Sequence, residues 1–84
     1  MGSVAEVLSN FEGNNRWISE NYDKLKKQYN NQWVAVLNNA VLDHDLDLKK
    51  LVKRLKAQHS KVYIQIAVEF VTSEELPYSL DLSD

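Results

Sequence analysis

The sequence has no cysteine, one proline and two glycines in 84 residues. Lacking cysteine, it can form no disulfides, thiolate metal sites, iron–sulfur clusters or cysteine nucleophiles. No apolar run approaches the roughly 18 residues that a membrane-crossing helix needs. The start lacks a basic n-region and an apolar h-region, so no secretory signal is expected. Met1-Gly2-Ser3-Val4-Ala5-Glu6 places Glu where a myristoylation signal has Ser or Thr. His44 and His59 are the only histidines. His44 can offer a nitrogen ligand, but two histidines without cysteine do not close a transition-metal site. No nucleophile elbow, phosphate loop or zincin pattern occurs, which leads to the expectation of a non-enzymatic domain. Glu69 is expected to face solvent and to be no acid–base residue. Together these absences predict a soluble, cytoplasmic domain.

What is present is ordinary for a folded chain: 44% hydrophobic residues, 26% charged residues and a net charge of −2. The length allows one domain, burying roughly 60–65% of its unfolded surface around a modest core. That domain is expected to span residues 1–71, with residues 72–84 as a flexible acidic tail broken by Pro77.

Ser3 can cap a first short helix carrying Val4, Val7, Leu8 and Phe11, with Gly13 suited to end it. A second helix is expected from about Arg16 to Tyr29, with Ile18, Tyr22, Leu25 and Tyr29 as its apolar stripe. Gln32–Leu37 and Ala40–Leu42 read as a hairpin, because Asn38-Asn39 tolerates the positive φ of a type I′ turn. Asp43–Asp47 then reads as a loop. Asp47 caps a third helix, whose stripe is Leu48, Leu51, Val52 and Leu55. Alternation from Lys61 to Val71 predicts a long last strand. The reading is an α+β fold in the order ααββαβ. It is a two-layer sandwich with a three-stranded sheet in order 2-1-3 and its helices packed on one face.

The stretch from Tyr22 to Glu75 resembles a family of small, mostly archaeal proteins of unknown function. The residues that carry the likeness are Glu20-Asn21-Tyr22-Asp23-Lys24-Leu25, Trp33-Val34-Ala35-Val36, Asp47-Leu48-Lys49-Lys50-Leu51-Val52-Lys53 and Val68-Glu69-Phe70-Val71. The resemblance implies the same order of elements and brings no activity. Two positions depart from it. Asn30-Asn31 stands where the family usually has Pro-Gly, and Asp45 stands where it often has a small residue.

Asp43, Asp45 and Asp47 form D-x-D-x-D ahead of a helix. Alternate carboxylates of a tight loop can converge on a hard cation, and Ca²⁺ takes roughly 6–8 oxygens at about 2.3–2.6 Å. The sixth loop position is Leu48 rather than Gly, and the twelfth is Arg54 rather than a bidentate Glu, so this is no ordinary EF-hand. The expectation is weak Ca²⁺ binding at Asp43, Asp45 and Asp47, with Glu74, Glu75 and Asp81 as further ligands. The alternative for the same residues is a capped and charge-stabilised helix start.

Lys49, Lys50, Lys53, Arg54 and Lys56 form a basic face, with Tyr63 nearby to stack a base. The acidic whole chain argues against nucleic acid as the partner. A second function class is a protein-interaction adaptor or homodimer, using the last strand as a sheet edge, the first helix, or the tail residues Tyr78, Leu80 and Leu82. No membrane partner is expected.

Overall fold

The computed structural model describes residues 3–74. The elements are α1 (Val4–Glu20), α2 (Tyr22–Tyr29), β1 (Gln32–Leu37), β2 (Ala40–Asp45), α3 (Leu48–Gln58), a 3₁₀ turn (Tyr63–Gln65) and β3 (Ala67–Val71). The strands form an antiparallel sheet in the order β2-β1-β3. The α+β class, the element order and the strand order are those read from the sequence.

β1 is central because both of its faces are apolar. Val34 and Val36 pack with Ile18, Leu25, Ala67 and Val71 on one face, beneath α1 and α2. Ala35 packs with Leu51, Leu55 and Ile66 on the other, beneath α3, joined at the margin by Trp33 and Leu37. Helices therefore cover both faces, which corrects the expectation of one helical layer. The alternation of apolar residues in β1 requires this, since a strand with two apolar faces must be covered twice.

Four element boundaries differ from the sequence reading: the end of α1, the start of α2, the end of β2 and the start of β3. α1 runs through Gly13, which has no positive φ, and stops at Asn21, whose amide and side-chain Nδ2 both donate to Trp17 O. Asn14, expected beyond the helix end, is buried in it instead. Its Nδ2 donates to Gln65 O at 2.8 Å and its Oδ1 accepts from Asn38 N at 3.1 Å. A long-range bond to each side-chain atom replaces the local backbone bonds by which Asn usually ends helices.

The last strand is Ala67–Val71 rather than Lys61–Val71. Its partner β1 ends at Leu37, and Val36 pairs with Ala67, so residues before Ala67 have almost no strand left to pair with. They turn into the 3₁₀ segment, which Asn10 and Asn14 hold against α1 through Gln65. The Asn38-Asn39 turn matches the expectation, with φ of 53° and 60°.

The structured unit continues past β3. Thr72 is buried, its Oγ1 donates to Asn31 Oδ1 at 2.7 Å, and its amide donates to the Tyr22 hydroxyl. Ser73 N donates to Asn30 Oδ1. Asn30-Asn31 thus ties the chain after β3 to the start of β1. The rest of the expected tail, with Glu75, Tyr78, Leu80, Asp81 and Leu82, lies outside the described residues.

Candidate functional sites: an arginine-clamped acidic strand end and an apolar groove

Asp43 and Asp45 belong to the end of β2, not to a loop. Alternation along the strand puts both carboxylates on the face that carries Ala35 and Trp33, toward α3. The spacing does make them converge, and the group they converge on is the Arg54 guanidinium. Nε and Nη2 of Arg54 lie 3.0 and 3.1 Å from the two oxygens of Asp43. Nη1 lies 2.7 Å from Asp45 Oδ2, and Nη2 also reaches His44 O at 3.0 Å. The planar donor fork of arginine suits such bidentate carboxylate contacts.

The remaining carboxylate valences are taken locally. Asp43 Oδ1 accepts from His44 N, and Asp45 Oδ1 accepts from Asp47 N, both at 2.8 Å. Asp47 caps α3 by accepting from Lys49 N and Lys50 N at 2.9 and 3.3 Å. The bond from Arg54, with help from the His44 amide, holds Asp43 below the usual carboxylate range against the opposing effect of its partial burial. The Asp47 amide and then Arg54 lower Asp45 in the same way. The two carboxylates raise Arg54 further, so it stays charged. Arg54 had stood out in the sequence as the wrong residue at the twelfth position of a calcium loop. In the fold it fills the electrostatic role of the cation from that position.

Of the proposed extra ligands, Glu74 follows β3, and β2 and β3 are opposite edges of the sheet. Its amide bonds to Thr72 Oγ1, and β1 separates it from the acidic strand end. Glu75 and Asp81 lie outside the described residues. Among the described residues, no group of three or more His, Cys, Asp or Glu side chains is arranged to hold a metal ion. His44 faces the other way, its ring tilted against that of Tyr29 with a centroid separation of 4.7 Å and with Nδ1 2.8 Å from Gln32 Oε1. Glu69 is exposed by area, but burial against its neighbours pushes its carboxyl up.

A second feature lies on the same face. α3 packs over β2 and the adjoining edge of β1, and the β3 side is covered only in part, by Val62 and Tyr63 of the segment that follows α3. The result is an open groove of about 470 Å³ lined by Phe11, Trp33, Leu48, Val52, Tyr63, Ile64, Ile66 and Val68. Trp33 and Leu48 lie toward the start of β1, and Ile64 and Phe11 toward its hairpin end, so the groove runs alongside α3. Trp33 is held by Phe70 on the neighbouring strand, with ring centroids 5.2 Å apart.

Leu48 and Val52 also line an adjoining hollow of about 420 Å³ bordered by Lys49, Lys53 and Lys56. Lys56 Nζ lies 5.6 Å from the Tyr63 ring centroid, so one rim of the groove is basic. The basic face read from the sequence therefore divides. Arg54 is committed to Asp43 and Asp45, while Lys49, Lys53 and Lys56 edge an apolar surface. The groove was not legible beforehand because its residues come from α1, β1, α3, the 3₁₀ turn and β3.

Residues 24–71 match a family of unknown function, DUF5678. The chain belongs to this family. The match covers more than half of the sequence, from within α2 to the end of β3. No curated protein and no solved structure matches the chain. The DUF5678 region contains the Asp43–Arg54–Asp45 clamp and every groove residue except Phe11. α1 lies outside it. Among the described residues no helix is long and apolar enough to cross a membrane.

Proposed function

We propose that this DUF5678 chain is a non-enzymatic protein-interaction domain whose groove takes an amphipathic helix with an acidic flank. The observation that carries this reading is the partly covered β3 half of the sheet face, apolar along its floor and lysine-edged on the α3 side. Strands lie about 4.8 Å apart and packed helices about 8–10 Å apart, so one helix covers about two strands. α1 and α2 together cover the opposite face, whereas α3 is the one helix packed over this one, joined by Val62 and Tyr63. A second helix beside α3 would complete the layer, in the helix-in-groove mode of recognition. Acidic residues on that helix would meet Lys49, Lys53 and Lys56, favouring it over a basic one.

The reading from the sequence, weak Ca²⁺ binding at Asp43, Asp45 and Asp47, is the alternative. It draws support from three carboxylates in one short segment, and it requires Arg54 to give up its four contacts.

The test is a fluorescence titration of the Trp17→Phe chain, which leaves Trp33 as the only indole. A synthetic helix with leucines at i, i+4 and i+7 and glutamates on one flank should saturate a blue shift of Trp33. The same helix with lysines in place of glutamates should bind at least about tenfold more weakly, a difference of about 1.4 kcal/mol. Equal binding of both helices, or saturation by a single-stranded oligonucleotide instead, contradicts the proposal.

A further inference from the structure

The groove joins an apolar floor to a basic edge. Lys49, Lys53 and Lys56 fall at i, i+4 and i+7 on α3, so they stand in one row along it. Among the described residues, none of the three makes an ion pair. A row of ammonium groups beside an apolar floor suits an occupant that is both apolar and acidic.

The chain itself carries a segment of that composition. Residues 74–84 hold Glu74, Glu75, Asp81 and Asp84 and no basic residue. The same stretch places Leu76, Tyr78, Leu80 and Leu82 at every second position. Pro77 disfavours a helix interior there and biases Leu76 toward extended backbone. Residues two apart share one side of an extended chain, so these four side chains would form one apolar edge. Glu75 and Asp81 fall on the other side of it. Attraction to the flexible lysine side chains therefore works through net charge rather than through fixed pairs.

The segment also starts in the right place. Trp33, at one end of the groove, pairs with Phe70 on β3. Ser73 N is bonded to Asn30 Oδ1 and Glu74 N to Thr72 Oγ1, so the chain passes Glu74 beside that end. Tyr22 holds Thr72 toward α2, and the chain must first round the end of the sheet to reach the α3 face. The groove then follows β3 from the level of Phe70 back to Ile66, roughly 13 Å of strand. Residues 75–84 reach about 33 Å when extended, enough for the turn and for the length of the groove. A segment tethered this closely meets the groove at an effective concentration on the order of 1 mM.

We propose that residues 76–82 lie along the groove of their own chain, antiparallel to β3, with Leu80 and Leu82 over Val52, Val68 and Ile64. This rests on the reading of the groove as a seat for an acidic, apolar segment, and adds a competitor to it. A partner helix must displace the segment, so its apparent affinity is set by the fraction of chains in which the segment is lifted.

The chain has no cysteine, so Ser83→Cys gives a single attachment site for a nitroxide. Paramagnetic broadening of methyl signals in the full chain should be strongest on Ile64, Val68 and Val52 and weakest on Leu25, on the opposite face. Lys49→Glu with Lys53→Glu should weaken that pattern, and saturation with the glutamate-flanked synthetic helix should abolish it. Leu80→Ser with Leu82→Ser, at unchanged far-UV circular dichroism, should tighten binding of that helix at least about threefold, as for a segment seated in about two-thirds of chains. Broadening that is even, or centred on Val4 and Leu8 or on the opposite face, overturns the proposal. So does an unchanged helix affinity in the serine variant. Broadening of an isotope-labelled chain without nitroxide, mixed with the nitroxide chain, also overturns it by placing the segment on a second copy. In each of these cases a helix that still binds with a Trp33 shift leaves the groove reading standing. A groove touched by neither segment nor helix overturns both.

Discussion

Arg54 grips Asp43 with two parallel bonds, Nε to Oδ2 at 3.0 Å and Nη2 to Oδ1 at 3.1 Å, from the middle of α3. A third bond reaches Asp45 at 2.7 Å. One side chain thus fastens the end of β2 to the helix that follows it and neutralises charge at two acidic positions. A bound cation would perform the same two tasks, and Arg54 performs them through a covalently attached group.

Calcium should therefore bind better once the arginine is gone. In Arg54→Gln, Ca²⁺ should give saturable amide shifts confined to residues 43–47, with a dissociation constant on the order of 10⁻³ M. The wild-type chain carried to about 10 mM, past the weak end of known sites, should show none. Wild-type binding at least as tight as that of the variant would restore the cation reading taken from the sequence.

The same clamp sets an acid dependence. Asp43 and Asp45 have native pKa values below their ordinary 3.8. The native state therefore binds fewer protons than the unfolded state in this range. The stability they contribute is fully present above pH 3.8 and is lost as pH falls through the lower native values. The difference in denaturant midpoint between wild type and Arg54→Gln should be constant from about pH 5 to 7 and shrink below pH 3.8. A gap that persists undiminished at about pH 2 would mean that Arg54 acts through packing of its aliphatic stem rather than through charge.

Asn14 is the polar residue most deeply committed to the fold, 4% exposed and bonded to two distant backbone groups. Asn14→Ala strands Gln65 O and Asn38 N, and should cost about 1–3 kcal/mol. For a domain of this size that corresponds to a fall in Tm of roughly 4–8 °C per kcal/mol. Asn10→Ala removes only an exposed side-chain pair and should cost far less. Equal losses in the two variants would contradict the assignment.

The contrast between Asn14 and Asn38-Asn39 shows how much of the fold the sequence carries. Asn38-Asn39 was readable because its signal is local: two adjacent residues tolerant of positive φ between two apolar runs. The central place of β1 was readable in the same way, from apolar residues at consecutive positions. The family resemblance was carried by local runs too, and the DUF5678 match over residues 24–71 covers all of them but Glu20, Asn21, Tyr22 and Asp23. Asn14 and the early end of the last strand were not readable, because distant groups decide both. Asn14 finds its partners 51 and 24 residues away, and β3 can only be as long as β1 allows. In the acidic segment the convergence of Asp43 and Asp45 was legible from their spacing. The group between them was not, since Arg54 meets them only when α3 folds back over β2.

The hairpin offers a direct check of the local reading. Asn39 has φ of 60°, a conformation that glycine adopts without strain. Asn39→Gly should be neutral or slightly stabilising. Asn39→Val should cost about 1–3 kcal/mol, because a β-branched side chain is strained at positive φ. Thermal unfolding of the two variants measures the difference, and equal midpoints would exclude turn strain as the determinant.

The central claim is that the β3 half of the α3-covered face is a seat for a helix. The measurement that reaches it most directly is a methyl and indole NMR titration of the full chain with the glutamate-flanked synthetic helix. Shifts should concentrate on Leu48, Val52, Ile64, Ile66, Val68 and Trp33 Nε1, and should leave Val34, Val36, Val41 and Leu25 on the opposite face unmoved. Saturable shifts centred on the opposite face or on Asp43–Asp45, or no shifts at all, would contradict it.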